Sequence, residues 1–174
     1  MKRFLTLLLL SILVTAGIPA LSYEPAINIT AGIRGSHIEE WYLHTSTLVT
    51  LETELPTMSF DYGGRVSIPI GLTLSSRTAE YDGLSIHGYI EGYAGVSYDQ
   101  RITSTFSMSS GMKFIYRFYE TIDSSIIGGS VDLSFIYMPH PNIGITIPME
   151  LSFLKGELDY SISFGSRFLF GGRK

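Results

Sequence analysis

A histidine and a serine stand two residues apart in His44-Thr45-Ser46, a spacing that puts both side chains on one face of a β-strand. A hydroxyl beside a histidine base is the arrangement used for nucleophilic acyl transfer and hydrolysis. Such a site also needs a carboxylate to orient the base, and none follows at a matching position. Suitable residue types also occur in expected loops, at His37, Asp82, Asp123 and Ser124. Loop residues of these types are common by chance, so we predict no catalytic residues.

Two histidines and two glutamates fall close together at His37, Glu39, Glu40 and His44. These residue types can bind a metal ion, but a metal site requires a fixed ligand geometry, and the top of a hairpin does not establish one. A solvated polar loop is the simpler interpretation. We therefore predict neither a metal site nor a cofactor.

The elements that would position these residues follow from alternation of apolar and polar side chains. In residues 65–75 the apolar positions are Val66, Ile68, Ile70, Leu72 and Leu74. A period of two residues indicates a β-strand and not a helix. Eight such stretches occur, and none has a charged residue in its apolar register. They predict eight strands at 27–35, 41–55, 65–75, 85–97, 102–118, 129–138, 143–154 and 157–170.

Residues 1–22 have the features of a secretory signal peptide. Lys2 and Arg3 precede an apolar stretch at 4–14, and Ala20 and Ser22 fit the −3 and −1 positions of a cleavage site. We predict cleavage after Ser22 and a single β-barrel domain at 23–174, with a net charge of about −6 against −4 for the whole chain. The apolar stretch is too short for a transmembrane helix, and no later segment approaches the roughly 20 apolar residues that such a helix needs.

The composition excludes several classes of protein. The chain has no cysteine, which removes disulfides, thiolate metal sites and a lipidated cysteine. No basic cluster remains after cleavage, so a nucleic-acid partner is not expected. The mature lysines are only Lys113, Lys155 and Lys174. Soluble β-proteins commonly place lysine on exposed strands, so this scarcity suggests strand faces that are not in water.

Alternation alone fits a soluble lipocalin-like barrel with an apolar inside and a membrane barrel with an apolar outside. The polar register favours the membrane barrel, because it is mostly Ser, Thr and Gly with a few charges whose signs nearly cancel. Aromatic residues near the strand ends, where interfacial girdles lie, favour it too. The residues predicted to face lipid are Val66, Ile68, Ile70, Leu72, Leu74, Ile143, Ile145, Ile147, Leu151 and Phe153.

An eight-stranded barrel is just wide enough for side chains to fill it, so an open diffusion pore is not expected. Charges inside such a lumen must be paired and hydrogen-bonded. The predicted structural charge cluster comprises Arg65, Glu91, Lys113, Arg117, Asp132, Glu150 and Arg167. Which of these residues pair depends on strand register, which the sequence leaves open, and an ion path is the alternative role for the same charges.

A short motif recurs in two of the strands. Ile68-Pro69 in the third strand and Ile147-Pro148 in the seventh both place proline on the polar face. Proline removes a ladder hydrogen bond and usually marks an edge or a bulge. The repeat therefore predicts two matching β-bulges half-way round the ring from each other, with coincidence as the alternative.

The signal peptide, the eight strands and the Ile-Pro motif together resemble the small outer-membrane β-barrel proteins of the OmpA/OmpX type. The resemblance covers essentially the whole mature chain, but only the Ile-Pro motif carries it at the level of sequence. It implies an eight-stranded antiparallel up-and-down transmembrane barrel in the outer membrane of a diderm bacterium, in contact with lipid and assembled by the barrel-assembly machinery. Such proteins typically end on an aromatic residue, whereas here 171–174 follow Phe170.

The resemblance leaves three functions open. The first is a non-enzymatic barrel with a structural role, or with weak binding of an extracellular ligand through loops at 36–40, 76–84 and 119–128. The second is an enzyme that acylates or deacylates lipid A, because some small outer-membrane barrels have this activity. The third is a carrier of a small hydrophobic ligand, which would need an apolar cavity inside the barrel.

Overall fold

The computed structural model describes residues 25–38, 42–81, 84–119 and 124–170. They form eight strands. The strands are β1 (Ala26–Ile38), β2 (Tyr42–Ser59), β3 (Gly64–Tyr81), β4 (Leu84–Arg101), β5 (Phe106–Tyr119), β6 (Ser124–His140), β7 (Ile143–Leu154) and β8 (Glu157–Leu169). Among the described residues, no helix is long and apolar enough to cross a membrane.

Each strand pairs antiparallel with the next along the chain, and β1 pairs with β8 to close the barrel. The closing ladder runs from Ala26 opposite Leu169 to Ile38 opposite Glu157. Closure leaves no unpaired sheet edge. The predicted eight-stranded antiparallel up-and-down barrel is therefore confirmed. Both ends of the described chain lie at one end of the barrel, called the terminal end here, together with the connections at 60–63, 102–105 and 141–142.

The wall has its apolar side chains outside and its charged side chains inside. Met112 is 69% exposed and Phe164 60%, whereas Arg34 is 2% exposed and Arg117 and Asp159 are fully buried. Because side chains alternate between the two faces of a strand, this contrast assigns every second residue to the lumen. All ten residues predicted to face lipid lie at outward positions, six of them with more than a third of their surface exposed.

The lumen also contains apolar side chains at a few inward positions. Tyr93, Ile115 and Leu154 pack together there, with the half-buried Ile126 against them. The alternation in the sequence does not distinguish these residues from the outward ones by type. They fill space between the charged groups and keep water out of part of the lumen.

Several strands are longer than the sequence predicted. Residues 76–81 continue β3 and residues 124–128 begin β6, so most of the segments expected as loops at 76–84 and 119–128 are strand. Residues 36–38 likewise belong to β1, and residues 99–101, which lie between two of the predicted strands, belong to β4. In the opposite direction, 102–105 is a connection and not the start of β5. These segments pair because ladder hydrogen bonds are made by the backbone and do not require alternating apolar side chains.

The prediction of bulges at the two Ile-Pro motifs was wrong. The register between β3 and β4 is the same on both sides of Pro69, and the register between β7 and β8 is the same on both sides of Pro148. Each proline instead leaves two neighbouring positions without ladder pairs on one side of its strand, while pairing continues on the other side. The register shifts lie elsewhere, between Pro56 and Met58, Ser75 and Thr78, and Tyr137 and His140.

The closure between β8 and β1 gives a test of close packing. A methyl group added at Gly165 on β8 would lie 2.6 Å from the Cα of Thr30 and 2.8 Å from the carbonyl carbon of Ile29. We expect Gly165→Ala to lower the free energy of unfolding in micelles by about 1–3 kcal/mol, because backbone atoms must move to admit the methyl. Gly92→Ala is the matched control, since its nearest neighbour would be the Cδ2 of Leu72 at 3.6 Å. Equal stability of the two variants would contradict this account.

Candidate functional site

The candidate site is the charged interior of the barrel. All seven residues of the predicted lumen cluster lie at inward positions. Their side chains are largely buried, the most exposed being Arg65 at 22%. They fall into three groups along the barrel axis, each held together by hydrogen-bonded ion pairs.

The upper group, far from the terminal end, is built around two arginines. Arg34 on β1 donates to both carboxylate oxygens of Glu91, at 2.8 and 3.2 Å. Arg117 on β5 donates to Glu91 at 2.8 Å, to Asp159 at 2.5 Å and to Glu157 at 2.7 Å. Such charge-assisted, multidentate pairing is the arrangement that allows guanidinium groups to be buried.

Two tyrosines complete the upper group. The ring of Tyr89 lies 4.2 Å from the guanidinium carbon of Arg117, a cation–π contact, and its hydroxyl accepts a hydrogen bond from Arg34 at 2.8 Å. The hydroxyl of Tyr119 donates to Glu157 at 2.6 Å. The two rings meet edge to face, with centroids 5.6 Å apart. The aromatic surface therefore fills the space around the arginines that water would otherwise occupy.

The middle group surrounds Lys113. Its ammonium nitrogen lies 3.1 Å from Glu52, 3.5 Å from Glu150 and 3.7 Å from Asp132, so three carboxylates share one cation. The same nitrogen lies 4.6 Å from the ring centroid of Tyr93, whose hydroxyl donates to Glu52 at 2.8 Å. Lys113 thus holds together acidic residues from β2, β6 and β7.

The lower group, near the terminal end, is centred on Glu54. Both terminal nitrogens of the Arg167 guanidinium donate hydrogen bonds to the carboxylate of Glu54, and the bond from Nη2 to Oε2 is 2.6 Å long. Arg65 donates to Asp99 at 2.5 Å and 3.2 Å. The side-chain amide of Asn28 donates to Glu54 at 2.6 Å and to Glu52 at 2.9 Å.

Two contacts join the three groups into one network. Arg34 reaches Glu150 at 3.2 Å and connects the upper group to the middle one, and Asn28 connects the middle group to the lower one. The cavity that remains in the lumen has a volume of about 50 Å³ and is lined by charged and hydroxyl side chains. This volume suits a few water molecules and not an organic ligand.

The pairing differs from the cluster that the sequence suggested. Arg65 pairs with Asp99 and Glu54, and not with any residue of the predicted cluster. Among the described residues, five lumen cations contact eight carboxylates, so the interior carries an excess of negative charge and the predicted near-cancellation was wrong. The predicted cluster lacks six members of the network: Arg34, Glu52, Glu54, Asp99, Glu157 and Asp159. Asp99 lies between two of the predicted strands, whereas the inward parity of β2 could have identified Glu54.

The residues considered for catalysis are not assembled into a site in the part of the chain that the structure describes. Ser46 is buried in the lumen, whereas His37 is exposed on the outside. The side chain of His44 and residues 82 and 123 lie outside the described parts. The metal candidates Glu39 and Glu40 also lie outside them, and the described residues contain no group of three acidic or histidine side chains placed to hold a metal ion.

The comparisons with known proteins agree on the fold. No family profile and no curated protein sequence matches the chain. The structure is similar to that of Neisserial surface protein A, with a TM-score of 0.60 and 13% identity over 84% of this chain and 97% of the other. It is similar to Ail of Yersinia pestis, with a TM-score of 0.57 and 17% identity over 85% of this chain and 99% of the other. It is also similar to the outer membrane protein OprG of Pseudomonas aeruginosa, with a TM-score of 0.51 and 10% identity over 86% of this chain and 97% of the other.

These proteins are small eight-stranded outer-membrane barrels, so the resemblance predicted from the sequence is confirmed at the level of the fold. Identities this low show the fold alone.

The middle group yields a test of the network. Lys113→Met leaves three buried carboxylates without their shared cation, so we expect the free energy of unfolding to fall by about 3–5 kcal/mol. Adding Asp132→Asn to that variant should restore part of the loss, because Lys113 is the only ion-pair partner of Asp132 among the described residues.

Denaturant unfolding in micelles measures both variants. The control is Lys155→Met, which removes the same charge from an exposed hairpin connection and should change stability by less than about 0.5 kcal/mol. A Lys113→Met protein as stable as this control would show that the network does not stabilise the barrel.

Proposed function

We propose that this chain is an outer-membrane barrel protein without enzymatic activity, whose side-chain-filled interior serves a structural or surface-binding role. One observation carries the proposal: the wall exposes large apolar side chains all round, while the described charges on the inward face of the strands are largely buried and ion-paired, apart from Arg101 at the mouth of the barrel. A protein folded in water has the reverse arrangement, because exposing that much apolar surface to water costs free energy.

The outer face supports contact with lipid. Outward residues such as Ile33 on β1, Val96 on β4, Met112 on β5 and Phe164 on β8 are more than half exposed, so the exposed apolar surface is not confined to one patch. Strands of 12 to 18 residues are long enough to cross the hydrocarbon core at a tilt. The related fold of Ail, at 16% identity and a TM-score of 0.53, has been determined in a phospholipid bilayer nanodisc.

Aromatic side chains near the terminal end support the same location. Phe60 stacks on Tyr62 with centroids 5.3 Å apart, and Phe106 stacks on Phe135 with centroids 6.3 Å apart. Tyr62 is 65% exposed and Phe170 52%. Aromatic side chains at the ends of membrane-spanning strands typically lie at the boundary between lipid headgroups and acyl chains.

The predicted signal peptide and the even number of strands suggest an orientation. An even count places both ends of the chain on one side, and in the proposed outer membrane that side is the periplasm. The barrel-assembly machinery is the proposed route of insertion, with cleavage after Ser22. The connections at the far end, and the strand ends that carry them, then face the cell exterior.

The interior supports a barrel that passes no solutes. The three ion-paired groups occupy the lumen over its length and leave only the cavity of about 50 Å³. A carrier of a hydrophobic ligand would need an apolar cavity of some 300 Å³ or more, and the described lumen contains none. Surface binding is therefore assigned to the outer end. Ail has been determined in complex with the heparin analogue sucrose octasulfate, and a weak extracellular ligand is the corresponding proposal for this chain.

Detergent-phase partitioning tests the membrane assignment. We expect the mature protein to enter the detergent phase and to migrate differently on gels before and after heating, because a closed barrel resists unfolding by detergent. The same chain unfolded in urea and not refolded is the control for the mobility shift. Recovery in the aqueous phase with no heat-dependent shift would overturn the proposal.

Substitution at two depths of one strand tests which face meets lipid. Ile147 lies near the middle of β7 and Phe153 near its end. In a bilayer, Ile147→Arg should cost about 2–4 kcal/mol of unfolding free energy, whereas Phe153→Arg should cost about 0–1 kcal/mol of lipid-transfer energy, because the penalty falls toward the interface. Unfolding in vesicles measures both. A cost that does not depend on depth would contradict lipid contact at these positions.

A further inference from the structure

The mouth of the barrel at the terminal end is an open polar vestibule of about 510 Å³. Residues of the connections at 60–63, 102–105 and 141–142 contribute to its wall, together with the last residues of β8. The vestibule is therefore bordered by every connection at this end of the barrel. The lower group of lumen ion pairs forms its floor, since Arg65, Asp99 and Arg167 line it.

The lining of the vestibule contains more cationic than anionic side chains, in contrast to the acidic interior behind it. Its lining includes three arginines, Arg65, Arg101 and Arg167, together with His140, and the only carboxylate in that lining is Asp99. An electropositive cavity with low-dielectric walls attracts anions. Arg65 and Arg167 are already paired with Asp99 and Glu54 in the lower group, so Arg101 supplies the unpaired positive charge among the described residues of the lining.

Arg101 is the cation in the vestibule that the network does not use. It ends β4, is exposed, and makes no ion pair with any carboxylate in the described ranges. Its backbone nitrogen donates to the carbonyl of Gly63 at 3.1 Å. Gly63 has a φ of 84°, and a Cβ there would lie 3.3 Å from the Cβ of Arg101. The tight turn thus places the base of Arg101 at the rim while leaving its guanidinium without an acidic partner.

Two further donors face the same space. Asp99 and Glu54 engage Nε and Nη2 of Arg65, and within the described chain Nη1 makes no hydrogen bond. His140 accepts a hydrogen bond at Nδ1 from the backbone of Asn142 at 3.3 Å, so its neutral form carries the proton on Nε2. Hydroxyl groups of Ser104 and Thr105 also line the cavity.

We infer that this vestibule binds a phosphate group. Two guanidinium groups, an imidazole N–H and hydroxyls offer several donors to one tetrahedral anion, and guanidinium pairs with phosphate through two hydrogen bonds at once. The phosphate has two possible sources, a free phosphate or phosphate ester in solution and the headgroup of a phospholipid in the adjacent leaflet. The second source rests on the proposed membrane location, and the first does not.

The test uses the mature protein refolded in octyl glucoside micelles, which contain no phosphate. Inorganic phosphate is titrated at low ionic strength, and binding is followed by calorimetry and by the arginine Nε–Hε resonances. We expect saturation with a dissociation constant of about 1 mM or tighter. Arg101→Gln should weaken binding about tenfold, the loss of one charge-assisted contact. Lys155→Gln removes the same charge at the opposite end and should change affinity less than twofold.

Absence of saturation in the wild-type protein, or equal weakening by both substitutions, would overturn the inference, because the second result would reflect net charge alone. Heat-modifiable mobility of each variant shows that the barrel has folded. A second arm adds dihexanoyl phosphatidylglycerol to the micelles. Competition with inorganic phosphate that is lost in Arg101→Gln supports the lipid headgroup as the source, and phosphate binding without such competition supports a soluble phosphate.

Discussion

Four of the five lumen cations pair with a carboxylate on a strand that is not adjacent to their own, and Arg65 is the exception. Arg34 on β1 pairs with Glu91 on β4, and Arg117 on β5 pairs with Asp159 on β8. Arg167 on β8 pairs with Glu54 on β2. Ladder hydrogen bonds connect only adjacent strands, so these pairs supply the connections that the sheet itself lacks. A one-residue slip of any strand would turn its charges outward and break several pairs at once, which makes the register strongly specified.

The network also explains why the interior is not simply apolar. If both faces of the strands were apolar, nothing would determine which face points into the lumen and which faces lipid when the barrel inserts into a membrane. Burying charges carries a desolvation cost that pairing only partly offsets, so the contribution of the network to stability is smaller than the number of contacts suggests. Its larger contribution is to favour a single strand register over the alternatives. The tyrosines at 89, 93 and 119 help by surrounding the cations with aromatic surface, which limits the water that would compete for them.

The sequence predicted the fold because alternation is a local property. Residues 65–75 and 143–154 show which side of each strand is apolar, and eight such stretches after a predicted signal peptide are enough to indicate a membrane barrel. Strand ends were predicted less well, because segments such as 76–81 and 124–128 are polar or glycine-containing and pair through their backbones alone. The ion pairs could not be predicted, since the pairing of Arg34 on β1 with Glu91 on β4 depends on the stagger of all the strands between them. The phosphate-binding vestibule was equally hidden, because its residues come from separate turns.

The two Ile-Pro motifs interrupt the hydrogen-bonded ladder on opposite sides of the barrel. Pairing is interrupted beside Pro69 between β3 and β4 and beside Pro148 between β7 and β8, and these interruptions lie four strands apart. The hydrogen-bonded ladder thus lacks two neighbouring rungs at each of two places on opposite sides of the cylinder. At these places the backbone is held by its neighbour on one side only, so water or lipid oxygen can reach backbone groups that the rest of the wall keeps paired.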